Sequence, residues 1–149
     1  MTTIHYEGSD DRPGWTTNLF SSEDRPTVRM YSWIDLDTDE FDYLRVLETV
    51  NAANYTYLLD TVIDLTVDTH RLRVRDVHRP SGATVDENEF ADSLGHHLAQ
   101  VTLWSFVLQR VLRGAAPVTE MFDEAIDAAT SIFESEDTPA EKGHDEQSS

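Results

Sequence analysis

The sequence predicts a mainly α fold: an α-rich α+β domain in which about three long helices pack together with one or two short strands. Apolar residues recur at helical spacing along 38–64, 86–113 and 118–133. Polar and apolar residues instead alternate along 27–36 and, less regularly, along 70–77, which is typical of strands. The chain has no cysteine, which excludes disulfides, thiolate metal sites and cysteine nucleophiles.

The composition divides the chain into three parts. The first 26 residues are polar and contain two glycines and two prolines, so we expect 1–26 to form a loosely ordered arm. The middle of the chain, 27–134, is predicted to be a single globular domain, the default for a chain of 149 residues. The last part, 135–149, consists mostly of acidic, small and helix-breaking residues, which predicts a disordered acidic tail.

The first half of the domain is predicted to contain a strand followed by a helix. The alternation over 27–36 includes β-branched and aromatic residues, which favours a strand. Asp37 and Glu40 then have the spacing of a capping box, in which each side chain bonds the other residue's backbone N–H. We therefore predict one helix over 38–64, bent at the polar link 51–54.

The segment 70–77 supports two interpretations. As a strand it places Leu72 and Val74 on one face and arginines on the other. As a helix it would align Arg71, Arg75 and Arg79 along one side, because they are four residues apart. The alternation favours the strand.

The predicted central helix is apolar on every side over its second half. It begins at Asp86, which forms a second capping-box pattern with Glu89, and it ends at Gly114. A helix that is apolar all round is buried all round, so it forms either the centre of the fold or the face of an oligomer. The residues that we expect at such an interface are Trp104, Phe106 and Val107.

The charge of the chain is strongly negative. Aspartate and glutamate total 29 against 11 basic residues, which gives a net charge of −18, and Lys142 is the single lysine. Such a surface is typical of halophilic proteins, and self-repulsion at low salt should make stability depend on ionic strength. With no basic leader and no long apolar run, we predict a cytoplasmic protein that binds neither membranes nor, non-specifically, nucleic acid.

The one basic cluster lies at 70–79. Guanidinium groups bond phosphates and carboxylates in a forked geometry, so the cluster is a candidate for anion or partner contact. It would suit a nucleic-acid-binding regulator, or it could dock the acidic surface of a second copy. It could instead neutralise carboxylates of neighbouring helices within the same molecule, which is the interpretation that so acidic a chain favours. The four candidate residues are Arg71, Arg73, Arg75 and Arg79.

Two spacings in the same segment resemble the signature of HEPN ribonucleases. Arg73 with His78 fits R-x4-H, and Arg71 with His78 fits R-x6-H. The resemblance implies metal-independent RNA cleavage, in which the histidine transfers a proton and the arginine stabilises charge on the phosphorane. The family places this motif in a helical bundle, whereas the alternation here favours a strand.

Metal and cofactor sites are not expected. Asp92 and His96 lie one helical turn apart, but no further ligands occur at metal-motif spacing. His97 is expected to be a hydrogen-bonded core histidine. Phosphate-binding and nucleophile motifs are missing. We therefore predict a non-enzymatic interaction or regulatory protein that acts through helix-mediated oligomerisation or partner binding, with no cofactor.

Overall fold

The computed structural model describes residues 1–58 and 60–137, which form an antiparallel sheet with helices on one side. Side by side, the strands are β1 (Thr2–Ser9), β2 (Arg12–Ser21), β3 (Val28–Ile34), β5 (Leu72–His78) and β4 (Val62–Leu65). The helices are α1 (Tyr43–Ala52), α2 (Glu87–Arg113) and α3 (Val118–Asp137).

The prediction of a mainly α fold with one or two short strands is wrong, because five strands form one continuous sheet. β3 and β5 confirm the strands predicted at 27–36 and 70–77. β1 and β2 occupy most of 1–26, the predicted loosely ordered arm. Their residues are largely polar, and threonine favours strands without producing an apolar alternation. The alternation of polar and apolar residues that identifies half-buried strands is therefore too weak to reveal β1 and β2.

The single bent helix predicted over 38–64 is also wrong. A 3₁₀ turn spans Thr38–Glu40, α1 follows it, and a π-helical turn spans Ala53–Tyr57 before the chain extends into β4. Asp37 caps only the 3₁₀ turn, and Asp42 caps α1 by accepting a backbone N–H one turn on. The helix thus ends near the polar link that was expected to bend it.

Glycine permits the tight hairpin between β1 and β2. Gly8 has φ +74°, in the left-handed region that side chains with a Cβ disfavour. At Gly14 a Cβ would lie 2.6 Å from the backbone oxygen of Tyr6, so only glycine fits between the strands. The hairpin explains why these residues occur in a strand rather than in a loose arm.

The central helix α2 lies between the sheet and the other two helices. It packs on β2, β3 and β5, while α1 and α3 pack against it. Asp86 caps its first turn through the backbone N–H groups of Asn88 and Glu89, and the helix ends at Gly114. The side chain of Glu89 accepts the backbone N–H of Ser81, so only the Asp86 half of the predicted capping box is formed. The core of the fold surrounds its second half, whose buried residues are Val101, Trp104, Ser105, Phe106, Val107, Leu108, Val111 and Leu112.

The sheet therefore has an inner face under α2 and an outer face that no helix of the described chain covers. Trp15, Met30 and Val74 are examples of inner residues, all buried. The predicted disordered tail, 135–149, falls almost wholly outside the described residues. Its first residues belong to α3, which reaches Asp137.

Candidate functional site

The outer face of the sheet brings together aromatic and arginine side chains from three neighbouring strands. Strand register places Phe20 beside Arg29, Tyr31 beside Arg75, and Trp33 beside Arg73. Because side chains alternate across a sheet, these positions all project away from α2. We define the aromatic–arginine face as Phe20, Arg29, Tyr31, Trp33, Arg73 and Arg75.

The three aromatic rings of this face contact one another. The ring centroids of Phe20 and Tyr31 are 5.6 Å apart, and those of Tyr31 and Trp33 are 6.2 Å apart with the planes at 88°. Edge-to-face contacts of this kind are favourable beyond the area that they bury. The rings are half-buried although no described helix packs over them. They form a firm apolar ridge on an open sheet surface.

The arginines flank this ridge. Arg73 donates two hydrogen bonds of 2.9 Å to the carboxylate of Asp64, and its guanidinium carbon lies 4.9 Å from the centroid of the Tyr31 ring. The hydrogen bond to Asp64 raises the pKa of Arg73 above its ordinary value. Arg75 Nε lies 2.9 Å from the same carboxylate, and Arg29 is exposed without an ion pair among the described residues. The face thus carries three guanidinium groups, two of which contact the carboxylate of Asp64, in a chain with a net charge of −18.

A cleft of about 680 Å³ opens at the edge of this face. It lies where β4 begins, because the pairing of β4 with β5 starts at Val62 and Arg75. Val62, Arg75 and Arg79 line its sheet side, and Asp92 and His96 line its helix side. Arg71, the remaining member of the predicted cluster, lies at the opposite end of β5 and is 3.5 Å from Asp35. Arg73 and Arg75 therefore lie within β5, whereas Arg71 and Arg79 lie just outside its two ends, and the four predicted arginines have different surroundings.

The arginine–histidine pairs of the ribonuclease-like motif do not come together. His78 is buried beneath α2, where its Nδ1 lies 2.7 Å from the hydroxyl of Ser93 and its ring meets Phe90 edge-on. Arg73 lies on the outer face of the same strand, since an even number of residues, four, lies between it and His78. Six residues, again an even number, lie between Arg71 and His78, and Arg71 contacts Asp35. The sheet places an arginine on one side and the histidine on the other.

The three predicted interface residues lie inside the chain. Trp104 and Phe106 are each 4% exposed, and Val107 is 0% exposed. Trp104 packs near Tyr57 and Phe122 in the helical layer. The sheet buries one side of the apolar second half of α2, and two helices bury the other. This part of α2 is therefore the centre of the fold.

Sequence reasoning missed a buried hydrogen-bond chain of four side chains. The Thr17 hydroxyl lies 2.5 Å from that of Ser32, which lies 2.7 Å from Nε2 of His97. Nδ1 of His97 lies 2.5 Å from a carboxylate oxygen of Asp76. The connectivity Ser–His–Asp is that of hydrolase triads.

Burial argues against catalysis by these four hydrogen-bonded side chains. Thr17, Ser32 and His97 are all 0% exposed, so no substrate reaches the serine hydroxyl. Each group is satisfied if Asp76 accepts the Nδ1–H of His97, Nε2 accepts the Ser32 hydroxyl, and Ser32 accepts that of Thr17. His97 is therefore a hydrogen-bonded core histidine, as expected. Its partners belong to three neighbouring strands, one of which was not predicted, and so alternation within a single segment gives no signal for them.

The described histidine and carboxylate side chains do not form a metal site. No group of three or more histidine, aspartate or glutamate side chains among them could hold a metal ion. Asp92 and His96 line the cleft without a third ligand. None of the helices in the described part of the chain has the length and hydropathy needed to span a membrane.

Comparison with known proteins adds one weak structural similarity. No protein-family model and no curated protein matches the chain. Among solved structures, the chain is similar to a chain in the crystal structure of the ExsC–ExsE complex, with 15% identity and a TM-score of 0.49. The match covers 76% of this chain and 78% of the other. A similarity of this size does not establish a shared fold or function.

Proposed function

We propose that this chain is a non-enzymatic interaction protein that binds a partner protein through the aromatic–arginine face. The observation that carries the proposal is that three contacting aromatic rings, flanked by arginines, stand on a sheet face that no described helix covers. Trp, Tyr and Arg are the residues that contribute most to binding at protein interfaces. The role that we propose for this binding is regulatory, in that the chain acts by occupying its partner.

The charge of the face indicates the chemistry of the partner. Most of the chain is acidic, whereas this face presents three guanidinium groups and the one contacting carboxylate of Asp64. Arg29 and Arg75 are exposed and have unused donors. We expect a partner segment that places apolar side chains on the ring ridge and carboxylates beside these two arginines.

Three features favour a protein over a nucleic acid. Bases stack on the open faces of aromatic rings, but Arg73 already covers one face of Tyr31. Arg73 and Arg75 share a carboxylate, which reduces what they offer to a phosphate. The net charge of −18 also repels a polyanion. The nucleic-acid-binding regulator is therefore the weaker alternative, and the test below includes it.

The test compares capture by two doubly substituted chains. Tyr31→Ser with Trp33→Ser removes the apolar ridge, and Leu44→Ser with Tyr55→Ser removes exposed apolar side chains on α1 and the π-helical turn. Leu44 is 63% exposed and Tyr55 is 89% exposed, so the control changes apolar surface of the same kind elsewhere. Each tagged chain captures proteins from extracts of cells that make it, and captured proteins are then purified for titration calorimetry.

We expect the wild type and the Leu44/Tyr55 variant to bind the same protein with equal affinity. The Tyr31/Trp33 variant should bind at least about 30-fold more weakly, the loss that one hot-spot residue causes. Equal binding by the Tyr31/Trp33 variant contradicts the proposal, as does loss confined to the control. Binding of labelled single-stranded RNA in place of a protein would favour the nucleic-acid alternative.

A further inference from the structure

The backbone groups at the two edges of the sheet are satisfied to different extents, and this difference points to self-association. We propose that β1 pairs with β1 of a second copy around a two-fold axis, which joins two five-stranded sheets into one. The proposal does not depend on the aromatic–arginine face, because it concerns backbone groups at the opposite edge from β4.

The edge at β4 is closed by a side chain. Oδ1 of Asn54 accepts the backbone N–H of Ile63 at 2.9 Å, and its Nδ2 donates to the backbone oxygen of Ile63 at 2.6 Å. The amide thus occupies the donor and acceptor that a neighbouring strand would use. This edge is protected against strand addition.

The edge at β1 is open. The Asp35 N–H donates to the Gly14 oxygen at 2.8 Å, so Gly14 directs its backbone groups toward β3. Backbone direction alternates along an antiparallel strand, and Thr17 therefore bonds toward β1, where its partner is Ile4. Thr3 and His5, on either side of Ile4, then turn their N–H and C=O groups outward. No hydrogen bond from these groups to any other described part of the chain is present beyond the strand ladder.

The usual protective devices are missing from β1. It has no proline and no lysine, and its one charged residue is Glu7. Its side chains lean toward β2: Thr3 donates to Asn18 at 2.9 Å, and a ring nitrogen of His5 lies 3.0 Å from the Thr16 hydroxyl. The outward backbone groups are consequently left uncovered.

Charge and symmetry make a second copy the partner that fits. Two chains of net charge −18 repel each other except where carboxylates are missing, and residues 1–6 contain none. An antiparallel strand can pair with itself across a two-fold axis, so the edge is self-complementary. Placing Thr3 opposite His5 of the second copy gives about four backbone hydrogen bonds. Ile4, which is half-buried, then meets Ile4 of the second copy on the inner face.

Dimerisation would also place two aromatic–arginine faces on the same side of one extended sheet. A partner with two acidic segments could then engage both faces, and the second contact would form at high effective concentration. Self-association and partner binding are separable, since substitutions on one surface leave the other intact.

Thr3→Pro tests the dimer with little change to the fold. Proline removes the outward N–H of residue 3, while the bonds of Ile4 to β2 remain, and an edge strand accepts proline at such a position. Thr84→Pro, the same substitution in an exposed bend, is the control. Sedimentation equilibrium of the full chains should show a dimer for the wild type and for Thr84→Pro. For Thr3→Pro the dissociation constant should rise about 30-fold, because two hydrogen bonds are lost per dimer.

Two further readouts separate this interface from others. Added KCl should strengthen the dimer, since it screens the repulsion between acidic chains. Hydrogen exchange of the Thr3 and His5 amides should slow as protein concentration rises. A wild type that stays monomeric at high salt overturns the proposal, as does a dimer that Thr3→Pro leaves unchanged. Exchange at these amides that is independent of concentration overturns it as well.

Discussion

At the scale of single residues, four polar side chains in the core satisfy one another's hydrogen-bonding groups. Thr17, Ser32 and Asp76 occupy inward positions on neighbouring strands, and His97 reaches them from α2. A buried polar group without a partner costs free energy, whereas a fully bonded set orients the elements that carry it. This chain of bonds fixes where α2 lies on the sheet, and its enclosure makes it structural.

Ser32→Ala tests that role. Loss of the hydroxyl leaves Nε2 of His97 and the hydroxyl of Thr17 buried without a partner, so the free energy of unfolding should fall by about 1–3 kcal/mol. Ser131→Ala, at an exposed serine of α3, should change it by less than about 0.5 kcal/mol. Urea denaturation measures both. Equal losses of unfolding free energy in the two variants would show that the buried hydrogen bonds add no stability. Reaction of Ser32 with a fluorophosphonate would show that its hydroxyl is accessible.

Tyr57 gives a prediction on alkaline pH. Burial raises its pKa above the ordinary 10.0, and the hydrogen bond to Asp123 raises it further. The folded state therefore favours the neutral phenol, and this contribution to stability is present below pH about 10 and is lost as pH rises through the raised pKa. Between pH 9 and 11, roughly, the wild type should lose more stability than Tyr57→Phe.

The matched control for this effect is Tyr55→Phe, at a tyrosine that is 89% exposed. Its unfolding free energy should follow the wild-type profile across the same pH range. Parallel profiles for Tyr57→Phe and the wild type would contradict the assignment.

At the scale of elements, the sequence was informative where one face of an element is buried and the other is not. The capping-box pattern at Asp86 and the amphipathic repeat of α3 predicted two helices, and alternation predicted β3 and β5. β1 and β2 were not predicted because polar and apolar residues alternate too weakly in an edge hairpin rich in threonine. β4 was not predicted because its four residues continue the helical spacing of apolar residues that begins in α1.

The candidate site was predictable only in part, for a related reason. Arg73 and Arg75 were identified as contact residues from a single segment. Phe20, Tyr31 and Trp33 join them only through the register of β2, β3 and β5, which are neighbours in the sheet but not all consecutive along the chain. Pairing between distant segments leaves no mark in local periodicity.

Two glycine-to-alanine substitutions test the account of the β1–β2 hairpin. Gly8→Ala forces a Cβ into the left-handed region, 2.4 Å from the backbone nitrogen of Gly14, and should cost about 2 kcal/mol or more. Gly95→Ala, at a position of α2 where the Cβ meets nothing within 4 Å, should stabilise by up to about 1 kcal/mol. Thermal unfolding reports both signs. A neutral Gly8→Ala would contradict the tight hairpin.

At the scale of the whole molecule, the charge is distributed unevenly. Carboxylates are frequent on the helices, whereas the outer face of the sheet carries Arg29, Arg73 and Arg75 among aromatic rings. Net charge alone would describe a protein that avoids anionic partners. The aromatic–arginine face instead offers an acidic partner one surface of complementary charge to which it can bind. Halophilic adaptation stays a prediction.

The most direct test of the central claim follows the three tryptophan indole N–H signals by NMR while the captured partner protein is added. Trp33 lies on the aromatic–arginine face, whereas Trp15 and Trp104 are buried on the helical side of the sheet. The account predicts that the Trp33 signal shifts until the partner saturates, and that the other two signals stay in place. A shift at Trp15 or Trp104 with Trp33 unchanged would contradict it.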